Sequence, residues 1–526
     1  MLDSRLMRAV PLRLWALSLL SALLQVLPFS LAGPVPEWRR LFSWICLTPL
    51  VWALLASDKE GRRLRPLQTA LLGYVCGFCW YMGNCYWIYQ TMHIYGGIPP
   101  VASAGILVLF SLYVGLYHAL FGGVVGWLRK GFSRQAVLWM VPLVWVAVEL
   151  ARARVTGFPW DLLGYTQADN LLLTRLAPWT GVMGISLAVA LVNVLWISEW
   201  KAKGAWGVYG GAAAALLVVV MVTTVRPQMV ASPVSASAVL LQENLMVGED
   251  TGPIESRDQL LAGFTNLSLH PTFGVEQTAP ALVAWPEAPA PFFDADPVFR
   301  KAVGEVAVES KAAVIVNSIS LGPKNEEGHY QTYNSADFFA ADGSYAGRYD
   351  KMRLVPFGEY TPYKPLFFFA GHLLDDLLFI PGTSRRNFEA QGEKYGVFIC
   401  YESIFGDDIR EFVGKGANVL VNISDDGWYG DSSAPWEHLD MVRMRAMENH
   451  RWLLRATNTG VTAVIDPLGR VTGEMPRHVR GALAVNFGYE SDETFYTRYG
   501  DWIGWMCAVV AVGMLGWSFA RRSDVH

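Results

Sequence analysis

"VFICYESIF", residues 397–405, is an apolar, β-branched run that ends on a cysteine and passes at once into Tyr401, Glu402 and Ser403. Apolar runs of this length bounded by polar residues read as buried strands. A structural thiol belongs inside such a strand, and Cys400 closes it instead. The run is one of a series. "ASAVLLQ" (236–242), "ALVAWPE" (281–287), "AAVIVNSIS" (312–320) and "ANVLVNIS" (417–424) alternate with helix-like stretches at 256–269, 296–310, 406–414 and 436–449. Strand and helix in alternation predict an α/β layered domain. The turn signals "ADG" (341–343) and "PLG" (467–469) lie inside two-strand ribbons, so its sheets are expected to be mixed.

Outside this domain the chain changes character. Of 526 residues, 52% are hydrophobic, only 17% are charged and 21 are tryptophan, too apolar for an ordinary soluble protein of this length. The excess collects in stretches near the roughly 20 residues that cross a bilayer, at 12–32, 40–56, 67–90, 101–127, 136–151, 177–198, 205–225 and 501–520. These predict eight spans and a lipid bilayer as partner. The expected organisation is a membrane domain of seven helices over 1–231, one soluble domain over 232–497, and an eighth helix with a short tail over 498–526. The net charge of −4 suggests no nucleic-acid partner.

Lysines and arginines are retained on the cytoplasmic side of short loops. Arg5, Arg8 and Arg13, then Lys59 to Arg65, Arg129 to Arg134, Lys201 and Lys203, and Arg521 and Arg522 all fall on one side. Arg39, Arg40, Arg152 and Arg154 vote against without reversing the result. Both termini are thus expected in the cytoplasm, and the soluble domain on the opposite face, which in a bacterium is the periplasm. A cleaved signal peptide ending near "SLAG" (30–33) is the rival reading of the first span; Pro34 and Pro36, followed by more membrane sequence, weigh against it.

Five of the six cysteines lie in these spans. "CGFC" (76–79) has redox or metal-ligand spacing, but without a second ligand pair it reads as small residues packing in a helix. Cys400 is then alone in an oxidising compartment with no disulfide partner, which favours a reactive role. Two further polar residues close strand-like runs, Glu287 after "LVAWP" and Lys351 after "YAGRYD", and sites in α/β sheets assemble at strand ends. The three together meet the needs of acyl transfer. A cysteine attacks as thiolate, a carboxylate such as Glu287 can take its proton and return it to a leaving group, and Lys351 with the Tyr401 amide can hold the tetrahedral oxyanion.

"WPE" (285–287), "YDKMRLVPFGEY" (349–360) and "CYES" (400–403) resemble the Glu-Lys-Cys signature of the carbon-nitrogen hydrolase (nitrilase) superfamily. With the membrane spans, "GFPWDLLGYTQ" (157–167) and "NISDDGWY" (422–429), the chain is similar over essentially its whole length to the bacterial apolipoprotein N-acyltransferase family. The resemblance implies an α-β-β-α sandwich of the nitrilase type and a triad of Glu287, Lys351 and Cys400. It implies Glu359 and Glu402 as supporting carboxylates, and Tyr401 and Trp428 along the substrate approach. The reaction implied moves an acyl chain from a phospholipid to the free amine of a diacylglyceryl apolipoprotein, through a cysteine thioester, at the bacterial inner membrane. No cofactor and no metal are expected, and a monomer is. One departure is "LLQENLMVGEDTGP" (241–254), where relatives commonly read Gln-Gly-Asn and then a tryptophan; this loop is left out of the site.

Other features carry weaker expectations. "KPLFFFAGHLLDDLLFI" (364–380) is apolar but too short to span, and is read as an arm dipping into the outer leaflet. Glu149 and Arg152 are read as a structural ion pair in preference to a head-group contact. His438, His450, Glu437 and Glu448 lack a ligand pattern such as HExxH. The alternative functions are a membrane-tethered amidase hydrolysing a lipid-linked amide, and a silent scaffold, which would have no need of all three triad side chains.

Overall fold

The computed structural model describes residues 10–197, 233–247, 255–275, 279–287, 292–324, 328–360 and 379–523. They fall into two compact units. The first comprises the described residues of Met1–Met229, Asp431–Asp440 and Tyr499–His526, and the second those of Val230–Gly430 and Met441–Arg498.

The first unit is helical: α1 (Leu12–Val26), α2 (Thr48–Leu55), α3 (Pro66–Asn84), α4 (Pro100–Gly131), α5 (Arg134–Ala151), α6 (Ala177–Leu195) and the C-terminal helix Trp502–Ser523. Four helical stretches among the described residues are long and apolar enough to cross a membrane: Pro100–Gly131, Arg134–Thr156, Leu173–Leu195 and Trp502–Ala520. The expected span at 40–56 is not one helix. A four-residue helix (Glu37–Arg40), a 3-10 turn (Leu41–Trp44) and the eight residues of α2 divide it, and eight residues rise only about 12 Å. The expected span at 205–225 and most of the apolar stretch at 364–380 lie outside the described residues.

Helix ends follow local chemistry. Pro100 opens α4 and the basic Arg129 and Lys130 close it, while Ser133 caps α5 by accepting the Ala136 N–H. The α3–α4 contact is a seam of small residues. A Cβ on Gly73 would stand 2.2 Å from the His118 carbonyl oxygen, and one on Gly122 2.3 Å from that of Thr69, so the two backbones touch where only glycine fits. "CGFC" belongs to this packing: Cys76 is buried and its Sγ accepts the Gln25 Nε2–H at 3.2 Å.

The second unit holds two mixed sheets. The seven-stranded sheet has the order β2-β13-β1-β3-β4-β5-β6, and the six-stranded sheet β12-β11-β10-β9-β8-β7. The strands are β1 (Ala236–Gln242), β2 (Phe273–Gly274), β3 (Leu282–Ala284), β4 (Ala313–Lys324), β5 (Tyr330–Phe339), β6 (Tyr345–Asp350), β7 (Asn387–Ala390), β8 (Glu393–Ile399), β9 (Val419–Ser424), β10 (Leu453–Thr457), β11 (Ala463–Ile465), β12 (Val471–Glu474) and β13 (Gly481–Phe487). The central strands β1, β3 and β4 are parallel, as are β8, β9 and β10. Hairpins attach β5 to β6 and β11 to β12, turning at Gly343 (φ 84°) and Gly469 (φ 79°).

The sheets face each other, β1 packing on β10. Helices α7 (Arg257–Leu269) and α8 (Pro297–Ser310) cover the first sheet and α9 (Gly406–Gly414) lies on β8. Ser256 and Gln259 form a capping box on α7, and Asp296 caps α8 ahead of Pro297. Phe264, Trp285, Phe292 and Phe299 form the aromatic heart of the core beneath α7 and α8. Phe264 stacks on Trp285 with centroids 4.6 Å apart, and Trp285 Nε1–H donates to Ser268 Oγ at 2.8 Å. Residues Trp285 to Glu287 therefore leave β3 from a fixed anchor.

Candidate active site

Parallel strands end together, and the side chains just past β3, β6, β8 and β9 converge in the second unit. Glu287 follows β3, Lys351 follows β6, Cys400 follows β8 and Asp425 follows β9.

Lys351 is 1% exposed. Its Nζ donates to Glu287 Oε1 at 3.0 Å and to Glu359 Oε1 at 2.9 Å. Burial alone would lower its pKa, but the charges of Glu287 and Glu359, with Cys400 nearby, hold it well above the ordinary value. It is a fixed ammonium, fit to stabilise negative charge and unfit to act as a base. The loop after it, "KMRLVPFGE", folds back on itself: the Glu359 N–H donates to the Val355 carbonyl at 2.9 Å, and Val355 N–H to Glu359 Oε2 at 2.7 Å. That closure returns a carboxylate to Lys351 eight residues on.

Cys400 has φ of 48°, a left-handed backbone that a β-carbon disfavours. The strain comes from the abrupt change from β8 into a 3-10 turn, Cys400–Ile404. The side chain is buried and forms no disulfide. Burial and the charge of Glu287 push the thiol's pKa well up while Lys351 pulls it down. The resting state is the thiol, and its proton must be taken as the reaction proceeds.

Glu402 does not reach the lysine. Its Oε1 accepts Tyr349 O–H (2.6 Å) and Met352 N–H (2.7 Å), and its Oε2 accepts Ile399 N–H (2.7 Å). Met352 follows Lys351 and Ile399 precedes Cys400, so this buried carboxylate ties together the two backbones that carry them. Glu359 is the carboxylate that steadies the ammonium. Tyr401 is buried with its ring edge-on to Phe405 at 5.3 Å, and Trp428 is 45% exposed on the turn Asp426–Tyr429.

Two further residues complete the cluster. Asn334, on β5, donates through Nδ2 to Glu287 Oε1 (2.7 Å) and Glu359 Oε1 (2.8 Å), so both oxygens that meet the ammonium are held from a second side. Asp425 donates its backbone N–H to Glu287 Oε2 at 3.1 Å. Its neighbour Asp426 pairs with Arg455 at 2.6 Å, both fully buried. Neither Asn334 nor Asp425 was singled out by the strand-end pattern. An amide inside "YQTYNSADFF" is one of several polar residues in that strand and carries no signal of its own.

The remaining sequence candidates lie elsewhere. His438 is buried and stacked on Trp160, centroids 5.9 Å apart. Glu437 accepts Trp160 Nε1–H at 2.8 Å, and Glu448 pairs with Arg445. His450 meets Asp492 at 2.9 Å, with Glu490 close by and Arg451 on the same Asp492 carboxylate at 3.4 Å. The guanidinium makes this an ion-pair cluster. Glu149 and Arg152 are not paired with each other. Glu149 accepts Trp145 Nε1–H and Leu163 N–H, and Arg152 donates to the carbonyls of Trp160 and Asp161. Arg152 is buried, so a head-group contact is closed to it. In the divergent loop, Glu243 is buried against Arg480, a structural role.

Residues 21–195 match the apolipoprotein N-acyltransferase N-terminal domain, and residues 269–487 the carbon-nitrogen hydrolase domain. An apolipoprotein N-acyltransferase of Geobacter metallireducens is 33% identical over 544 residues, covering 98% of each chain. The chain belongs to the apolipoprotein N-acyltransferase family. A second member, from Methylococcus capsulatus, is 32% identical and covers 94% of each chain. Among solved structures, an amidase from Nesterenkonia sp. is 17% identical, covering 48% of this chain and 91% of its own, with a TM-score of 0.35. The chain is thus a membrane protein and an acyltransferase, whose helical region contributes four candidate spans among the described residues and whose α/β domain is nitrilase-like.

Proposed function

We propose that the enzyme N-acylates the N-terminal S-diacylglyceryl-cysteine of apolipoproteins from a phospholipid donor, in two half-reactions through a thioester on Cys400. The observation that carries this reading is the fixed ammonium of Lys351 between Glu287 and Glu359, beside a cysteine on a strained turn. Glu287 takes the Sγ proton as the sulfur attacks an ester carbonyl of the phospholipid. The new C–S bond pushes the carbonyl electron pair onto oxygen, where Lys351 and the Tyr401 N–H hold it. The C–O bond then breaks, and Glu287 returns the proton to the departing lysophospholipid. In the second half the lipoprotein amine attacks the thioester, Glu287 takes its proton, the C–S bond breaks, and Glu287 passes that proton to the departing sulfur to regenerate the Cys400 thiol. Aminolysis of a thioester runs downhill, so no nucleotide is needed, and ping-pong kinetics follow.

The membrane part serves the donor. Each methylene moved from lipid into water costs about 0.8 kcal/mol, so the cysteine must be presented at the bilayer. We assign both termini to the cytoplasm, residues 232–497 as the catalytic domain in the periplasm of a bacterial inner membrane, and a monomeric state. Trp428 and Tyr401 line the approach to Cys400.

The test incubates the membrane-embedded enzyme with labelled phospholipid and no acceptor, and reads intact mass. One acyl group on the wild type and none on Cys400→Ala is expected. No adduct on wild type, or an undiminished one on Cys400→Ala, overturns the mechanism. Addition of a diacylglyceryl lipopeptide should then move the label into an amide; its loss to water alone would make the enzyme a hydrolase.

A further inference from the structure

The turn after β9 brings a second carboxyl against the base. Asp425 is 4% exposed, and its backbone N–H is the donor that holds Glu287 Oε2. Its own Oδ1 accepts the Gly427 N–H at 2.9 Å and Asn458 Nδ2–H at 3.2 Å. Asn458 is itself fixed, exchanging hydrogen bonds of 2.8 Å with the N–H and carbonyl of Leu245. The charged groups that act on Asp425 are Glu287 past β3 and Asp426 beside it; the cations next to those two carboxylates are Arg455 of β10 and Lys351. Arg455 is engaged by Asp426 at 2.6 Å, and Lys351 by Glu287 and Glu359. Both cations are thus taken up by other carboxylates, and the charged form of Asp425 is supported by two neutral donors.

We propose that Asp425 is a positioning residue of the acyl transfer: its backbone orients Glu287, and its buried side chain must stay uncharged for Cys400 to become a thiolate, so that its ionisation sets the alkaline limit of the reaction. The inference rests on the reading of Cys400 and Glu287 given above. Burial first, and the Glu287 charge against the opposing Gly427 hydrogen bond, place the Asp425 carboxyl at about 8. Below that pH it is a neutral acid. Above it, a second negative charge stands beside Glu287 and opposes both the thiolate and the oxyanion.

The experiment follows Cys400 acylation in a single turnover with labelled phospholipid and no acceptor, which removes the titration of the acceptor amine. The readout is the ratio of rates at pH 9 and pH 7 within each variant, so that any loss of absolute rate cancels. Wild type should fall about tenfold across this range, the rate equivalent of about one pKa unit. Asp425→Asn keeps an oxygen to accept both hydrogen bonds and cannot ionise; its ratio should return close to one. Asn458→Ala removes a donor to the charged form and should move the limb to higher pH. A wild-type limb retained unchanged in both variants overturns the proposal. Absence of any acyl-enzyme in wild type overturns the function reading instead, and the two failures are thereby distinguishable.

Discussion

Two buried charge clusters, one in each unit, are built in opposite ways. In the helical unit the hydrogen bonds of Glu149 and Arg152 run mostly to partners four to fourteen residues away, on the loop Trp160–Leu163 and one helical turn back at Trp145, with Ser186 also reaching Glu149. In the α/β unit Lys351 meets Glu287 across 64 residues, Glu402 meets Met352 across 50, and the Asp425 N–H meets Glu287 across 138. The local cluster shapes one loop. The distant one converges several strand ends on a single ammonium and sets a strand-end cysteine beside it. A buried ion held by its own neighbourhood is a structural device; one held from several strand ends can be aimed.

The sharpest way to break this contrast is to remove the ammonium. Lys351→Met should slow single-turnover acylation of Cys400 by about 10²–10³-fold, and it leaves two buried carboxylates without their cation, so its thermal midpoint should also fall. Loss of stability with an unchanged rate per folded molecule would make the catalytic cluster structural like its helical counterpart. Glu402→Gln should have an intermediate effect. The four donors on the carboxylate need acceptors at both oxygens, and an amide leaves one side a donor, which should cost about 1–3 kcal/mol in a denaturant melt and slow acylation about tenfold. A rate loss without a stability loss would mean that Glu402 touches the reacting atoms. The smallest catalytic effect belongs to Arg152→Met. Orphaning the carbonyls of Trp160 and Asp161 should lower stability by about 1–3 kcal/mol, while acylation per folded molecule stays within about twofold. A larger fall would show the helical cluster acting on the chemistry.

Part of this arrangement was legible in the chain. Cys400, Glu287 and Lys351 each end a strand-like run, and the end of a strand is a position that alternation reveals. Glu359 came from the loop motif. Glu402 was legible as a carboxylate near the cysteine, but its partners were not: they are backbone N–H groups of another strand, which every residue has and no letter marks. Asn334 lies within a strand, and its side chain acquires a role only because β5 is paired between β4 and β6. In the helical unit, hydropathy marked the stretch 40–56 as apolar but said nothing of the break at Leu41–Trp44, where Ser43 O–H donates to the Arg40 carbonyl and Leu47 N–H to Asn193 on α6.

The sequence by itself determined that a long apolar region adjoins an α/β domain, that a lone cysteine closes one of that domain's strands, and which family the motifs match, because hydrophobic period, turn chemistry and strand ends are properties of neighbouring residues. Only the tertiary structure decided which carboxylate faces the ammonium, which one straps the backbone, and that Asp425 lies against the base. Those depend on strand order and register, which bring residues together across a hundred positions and leave no local mark.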